Sequence, residues 1–197
     1  MLHFIKRKGE PADVWFSEMY QIQILLLNEY LIIDTKKTYT IDTVPISPFN
    51  REISGIHNII KYKNPYIGNN SNTGNLLNSL PLSEYGFVFE IDADNRGLII
   101  DYHTTDWYHN EEFYIDKALV YNAVSAFSLI DNLEYIQFNF SGSTYSITRD
   151  AIIQNYPYFE KILTTSGINQ ENFNLYVERK MNDNAFVQDM MAYLNKQ

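Results

Sequence analysis

Between Asn110 and Thr148 a long apolar helix pattern runs directly into a tight β-hairpin, and this pairing limits the fold more than any other feature. Over 110–131, Phe113, Val120, Val124, Phe127 and Ile130 recur at spacings that place them on one helical stripe. Leu119, Ala123 and Ala126 widen that stripe. The next segment reads Tyr-Ile-Gln-Phe-Asn-Phe from Tyr135, a Ser-Gly-Ser turn, then Thr-Tyr-Ser-Ile-Thr. Its period of two sends Ile136, Phe138, Phe140, Tyr145 and Ile147 to one side. A helix with so wide an apolar face needs a surface to cover, and a sheet with one apolar face supplies it. No catalytic group is required to explain any of these positions.

A second hairpin has the same design. Phe87, Phe89, Ile91 and Ala93 alternate with Glu90 and Asp92, and Asp94-Asn-Arg-Gly turns the chain. Leu98, Ile100 and Tyr102 then face inward on the return strand. The expected class is α+β: an antiparallel sheet built from two β-hairpins, with helices packed on one face. Ser54 can cap a helix through about Lys63, and the Asn-rich stretch 64–74 reads as a loop before a short helix over Asn75–Leu80. Thr148 can cap a helix that begins at Arg149 and is interrupted at Pro157; Asp183 can cap a last helix carrying Phe186, Val187, Met190 and Met191. Residues 169–181 fit a strand, by the alternation of Phe173, Leu175 and Val177, or a helix. Before all this, Tyr20, Ile22, Ile24 and Leu26 alternate, and Tyr30–Asp34 reads as a strand that turns at Thr35–Lys37 and returns over Thr38–Asp42. Pro45 and Pro48 mark a connection. The domain expectation is an N-terminal β-rich extension over 1–52 and an α+β main domain over 53–197.

Charge and composition remove several functions. The chain carries a net charge of −9, and its basic residues group only at Lys6-Arg7-Lys8, Lys36-Lys37 and Lys61/Lys63. Such a surface repels phosphate backbones, so no nucleic-acid partner is expected. There is no cysteine, which excludes disulfides, thiolate catalysis and a lipid-accepting thiol. The longest apolar run, Ile22–Ile33, is broken by Gln23, Asn28 and Glu29, so no membrane span is expected. After the basic residues at 6–8 comes Gly9-Glu-Pro-Ala-Asp, where a signal peptide needs an apolar stretch. No nucleotide- or cofactor-binding motif stands out. Ser141-Gly-Ser bridges two strands and is a turn, and the loop around Gly68 and Gly74 lacks the Lys-Ser/Thr of a phosphate-binding loop. The chain is expected to use no cofactor and to be no enzyme.

Chemistry-bearing side chains concentrate in Asp101-Tyr-His-Thr-Thr-Asp-Trp-Tyr-His-Asn-Glu-Glu. His103, Trp107, Tyr108 and His109 form the expected ligand-binding set, with Trp107-Tyr108 as an aromatic loop tip. An alternative is a metal-dependent hydrolase or metal-binding protein with Asp101, His103 and His109 on a divalent cation, because Asp101 and His103 project from the same wet face of a strand. Against it, Asn110 is a natural N-cap, and Glu111 and Glu112 suit the start of a helix. A third alternative has the chain oligomerise through Ile22–Leu27 as an open edge strand. The partner, protein or small molecule, is not specified by these residues, nor is the oligomeric state.

Taken in order, Lys63-Asn-Pro-Tyr-Ile-Gly-Asn-Asn-Ser, Leu80-Pro-Leu, Phe127-Ser-Leu-Ile-Asp-Asn, Tyr135-Ile-Gln-Phe and Tyr145-Ser-Ile-Thr-Arg-Asp resemble the uncharacterised bacterial family named domain of unknown function 4825. The resemblance covers about residues 59–163. It implies an origin in Firmicutes and a setting in the cell envelope, in lipoproteins or on the outer side of membrane proteins. It implies no catalytic residue. Gly68, Asp131 and Arg149 fall on its motif positions, and each has a local structural reading. The chain departs from the family in lacking a signal peptide and a lipid-accepting cysteine and in adding about fifty N-terminal residues, so the location stays open.

Overall fold

A computed structural model describes residues 14–17, 22–27, 30–35, 55–107, 113–165 and 167–196, the first three stretches as backbone only. The chain divides into two units, 1–51 and 52–197. In the first, β1 (Val14–Ser17), β2 (Ile22–Leu27) and β3 (Tyr30–Thr35) pair antiparallel in that order. Leu27 pairs with Tyr30, so the hairpin is 22–35, and Thr35 ends a strand instead of opening a turn. The expected return strand at 38–42 lies outside the described residues. Ile22–Leu27 is the middle strand, hydrogen-bonded on both sides, so it offers no open edge.

In the second unit the sheet order is β10-β7-β6-β5-β4, formed by β4 (Phe87–Asp92), β5 (Gly97–Tyr102), β6 (Tyr135–Phe140), β7 (Ser143–Thr148) and a two-residue β10 (Asn195–Lys196). Both expected hairpins are present. On β5, β6 and β7 the inward set is as the alternation predicts, with Leu98, Ile100, Tyr102, Ile136, Phe138, Phe140, Tyr145 and Ile147 all buried. On the outermost strand β4, by contrast, Phe87, Phe89 and Ile91 are half-buried and Ala93, just past it, is exposed. The seam between the hairpins differs. β5 and β6 run parallel, so the sheet is mostly, and not wholly, antiparallel. The cause is the connection: β5 and β6 are joined through a long helix, and a helical crossover returns the chain parallel to the strand it left. At one rim of this seam the Tyr135 ring lies over Gly97, where any Cβ would collide with it, and its hydroxyl donates to Asp92 (2.8 Å).

That helix is α3 (Tyr114–Leu129), preceded by Phe113 in the left-handed region (φ 62°). The expected start at Asn110 lies outside the described residues. Its end is earlier than the pattern suggests, because Ile130 is extended and bridges to Asn64. A single covering stripe is also too little: of the sixteen residues only Asp116 is not buried. One side meets the sheet, with the Asn122 amide reaching the Tyr102 hydroxyl (3.4 Å) and the Pro81 carbonyl (2.8 Å). Another meets the C-terminal helices, where Tyr121 packs edge-to-face on Phe173 (6.0 Å between centroids) and α7 (Asn184–Met191) lies alongside. Each large side chain so buried contributes on the order of 1.5–3 kcal/mol before conformational entropy is subtracted.

The smaller helices follow local capping. Gly55 takes the N-cap of α1 (Ile56–Ile59), and Ser54 lies outside the described residues. Asn69 caps α2 (Asn70–Asn78), so the helix starts within the stretch expected to be a loop. Thr148 caps α4 (Arg149–Asn155) and Asp183 caps α7, as expected. After Pro157 come α5 (Phe159–Ile162), the short pair β8 (Leu163–Thr164) and β9 (Gly167–Ile168), then α6 (Gln170–Phe173). The ambiguous 169–181 is helical throughout its body, with Phe173, Val177 and Met181 buried at every fourth position. Among the described residues no helix is long and apolar enough to cross a membrane.

Candidate functional site

Where β5 leaves the sheet, its chain is pinned on both sides. The His103 backbone N–H donates to the Gly86 carbonyl (3.0 Å). Gly86 itself holds φ 76°, and a Cβ there would stand 3.1 Å from His103 Nδ1, so glycine permits both the turn and the approach of the imidazole. On the other side the Ser141 N–H donates to the Thr104 carbonyl (2.9 Å), which ties the loop after β5 to the β6–β7 turn. Between them lies an open cleft of about 430 Å³, walled by Asp101, His103, Thr104, Thr105, Asn139 and Ser141 over Tyr102 and Phe140.

The polar side chains of this cleft are ordered by the strand register. Asp101 faces Asn139 across the parallel seam, and Asn139 faces Thr144 across the next pair. Thr144 Oγ1 and Gln137 Nε2 both donate to Asn139 Oδ1 (3.0 Å each), and Asn139 Nδ2 donates to Asp101 Oδ1 (2.6 Å). A carboxylate can only accept, which fixes the orientation of the Asn139 amide and the direction of the whole chain.

Of the sequence-derived site residues, the structure brings Asp101 and His103 to the cleft. Trp107 stands beyond its wall with 73% of its surface exposed. Tyr108 and His109 lie outside the described residues, as do Asn110, Glu111 and Glu112. Among the described residues no three His, Asp or Glu side chains come together as a metal-binding group. Asp106, in the same acidic and histidine-rich stretch, turns inward. Its Oδ2 accepts from the Tyr145 hydroxyl (2.6 Å) and from Lys196 Nζ (2.8 Å), and the Lys196 ammonium also sits over the Tyr145 ring (5.0 Å). Burial alone would raise the Asp106 pKa, yet the hydrogen bonds from Lys196 and Tyr145 hold it below the ordinary carboxylate value. The same bond raises Lys196. Sequence reading missed Asn139, Ser141 and Lys196. The outward position of Asn139 on its strand was visible, but its place beside Asp101 depends on the parallel seam.

The motifs that carry the family resemblance gather elsewhere, around the C-terminal end of α3. The Asn64 N–H donates to the Leu129 carbonyl (2.8 Å), and the Asn64 carbonyl accepts from the Asp131 N–H (3.1 Å). Lys63 donates to the Ser128 carbonyl (3.1 Å) and pairs with Asp131. The Ile67 N–H donates to Asn132 Oδ1 (2.6 Å). Arg149 spans the far side, Nε to the Leu133 carbonyl and Nη2 to the Ile130 carbonyl (both 2.6 Å), its guanidinium 5.3 Å from the Phe127 ring centre. Carbonyls that a helix end leaves without partners are thus satisfied by side chains distant in sequence. Arg149 is therefore more than a helix start, and these motif positions form a structural clamp.

The family model described as Domain of unknown function (DUF4825) matches residues 59–150, and over that stretch the chain is similar to that family. No curated protein and no solved structure matches the chain.

Proposed function

We propose, from the resemblance over 59–150, that this chain is a non-catalytic binding or sensory module of cell-envelope type from a Gram-positive bacterium, and that its 53–197 portion is the functional domain. Ligand recognition is assigned to the cleft at the end of β5, with His103 in its wall and with Trp107, Tyr108 and His109, which follow in sequence, as further ligand-binding residues. The observation that carries this is the cleft itself: an open pocket whose two walls are tied to each other and whose Asp101 and Asn139 side chains are held in one hydrogen-bonded order. Pre-formed sites of this kind bind without reorganising the fold. The N-terminal residues to 52 are read as a β-rich extension of that module, from the alternation of Tyr20, Ile22, Ile24 and Leu26.

The test is a fragment screen on the isotope-labelled full chain, read by amide shifts. Hits should map to 101–105 and 139–141 and should weaken in His103→Ala and Trp107→Ala. Hits that map elsewhere and ignore both substitutions would remove the assignment. The metal-dependent alternative, with Asp101, His103 and His109 as ligands, is tested on the same preparation. Stoichiometric zinc or manganese, lost in His109→Ala, would replace the binding-module proposal.

A further inference from the structure

We infer that the cleft takes ligands bearing an ammonium group, with Asp101 as the counter-ion; this rests on the cleft being a binding site at all. The direction of the hydrogen bonds carries it. Thr144 gives its hydroxyl hydrogen and Gln137 one of its two amide hydrogens to Asn139, and Asn139 gives one of its own two to Asp101. The ordered chain therefore ends on an acceptor. Asp101 is exposed, and a carboxylate holding one hydrogen bond keeps capacity for several more. The ligand must bring donors to meet it.

Charge selects among donors. No Lys or Arg lines the cleft. None occurs anywhere in β4, β5, β6 or β7, while Glu90 and Asp92 stand on β4 beside the strand that carries Asp101. A phosphate or carboxylate would find no cation here and a carboxylate in its way. A neutral hydroxyl would satisfy Asp101, but an ammonium does so with a charge-assisted bond, which is about twice as strong as a neutral one. Asn139 already occupies part of Asp101 Oδ1, which leaves Oδ2 as the less engaged oxygen, an arrangement suited to a compact ammonium more than to a two-pronged guanidinium that needs both oxygens. The chain's net charge of −9 favours the approach of any cation.

An ammonium can arrive on an amino sugar or on a lysine side chain, and one titration distinguishes them. The labelled full chain is titrated at low salt with glucosamine and with Nα-acetyl-lysine methylamide. Their charge-neutral counterparts, N-acetylglucosamine and Nα,Nε-diacetyl-lysine methylamide, are run in parallel. At least one amine should shift the 101–105 and 139–141 amides at least about tenfold more tightly than its neutral counterpart. That preference should vanish in Asp101→Asn, which keeps the shape and the bond to Asn139, and should decline as salt is raised. Whichever amine binds identifies the source. Equal binding of amine and neutral forms, or an unchanged Asp101→Asn, overturns the ammonium assignment and leaves the cleft as a binding site. If none of the four shifts the cleft amides, the ammonium assignment falls, and the fragment screen decides the fate of the cleft separately.

Discussion

Asp106, Tyr145 and Lys196 join three segments that are far apart in sequence: the loop forming the cleft wall, the inner face of β7, and β10. Removing the carboxylate with Asp106→Ala strands the Tyr145 hydroxyl, which sits in a buried residue, and releases Lys196. Loss of a hydrogen bond to a charged group, plus the stranded donor, puts the cost at about 2–4 kcal/mol. Lys196→Met should cost far less, about 0.5–1 kcal/mol, because the lysine side chain is 58% exposed and solvent screens the pair. Tyr145→Phe falls between, at about 1.5–3 kcal/mol. The assay is urea unfolding of the single variants and of Asp106→Asn combined with Lys196→Met as a double-mutant cycle. Thermal midpoints should drop by roughly 2–4 °C for each kcal/mol in a chain of this size. Hydrogen exchange adds a local readout: the Ser141 amide, bonded to Thr104 two residues before Asp106 in the stretch that the latch holds, should lose protection before the core strands do. A coupling energy indistinguishable from zero, together with an Asp106→Ala cost below about 0.5 kcal/mol, would show that the three groups do not act as one latch.

The latch also fixes a pH profile. The Asp106 pKa is depressed in the folded chain, so its contribution is present above the ordinary carboxylate value of about 3.9 and is lost as pH falls through the folded value. Lys196 is raised, so its share is full below about 10.4 and is lost as pH climbs through its folded value; unfolding across pH 2–11 checks both limbs, and Asp106→Asn should flatten the acid one. Phe127→Asp places a carboxylate against Arg149 in a fully buried site and should leave no cooperative unfolding transition by circular dichroism; a soluble variant with an unchanged midpoint would refute the packing of α3. Arg149→Lys keeps the charge but not the two-pronged geometry on the Ile130 and Leu133 carbonyls, so it should cost about 1.5–3 kcal/mol in the same urea assay, and a silent change would argue that those carbonyls are satisfied otherwise.

What the sequence made legible is what local periodicity encodes. Alternation placed the inward residues of β5, β6 and β7 correctly, and capping chemistry placed Thr148 and Asp183; on the outermost strand β4 the alternating Phe87, Phe89 and Ile91 are only half-buried. What it hid depends on contacts distant in sequence. The stripe on α3 was real, but Tyr121 and Asn122 look like ordinary flank residues until Phe173 and Pro81 are seen to cover them. The alternation of Phe173, Leu175 and Val177 suggested a strand, yet Leu175 is exposed while Phe173 and Val177 are buried, a pattern a helix also yields when its neighbours lie on one side. In the candidate site, Asp101 and His103 were readable as outward-facing strand residues. Asp106 was not readable as inward-facing, because the partners that explain its burial, Tyr145 and Lys196, lie 39 and 90 residues on.

The two polar assemblies of the main unit differ in a way that bears on what a family resemblance can transfer. The clamp at the end of α3 uses Lys63, Asn64, Asp131, Asn132 and Arg149 almost wholly to close backbone groups that would otherwise be buried without partners. The side chains of Lys63, Asn132 and Arg149 and the backbone of Asn64 are engaged by the fold, so sharing them implies sharing the way α3 is anchored. The cleft reverses that relation: its ordered hydrogen bonds run outward and end on an exposed acceptor. Asp101, His103 and Asn139 could change identity without disturbing the clamp, provided the strand register stays. Members of one family with the clamp intact can therefore present different cleft chemistry. Substituting the clamp should reduce stability and binding together, whereas substituting Asp101 should change binding with the thermal midpoint nearly constant. A loss of cooperative folding in Asp101→Asn would place that residue in the fold and end the distinction.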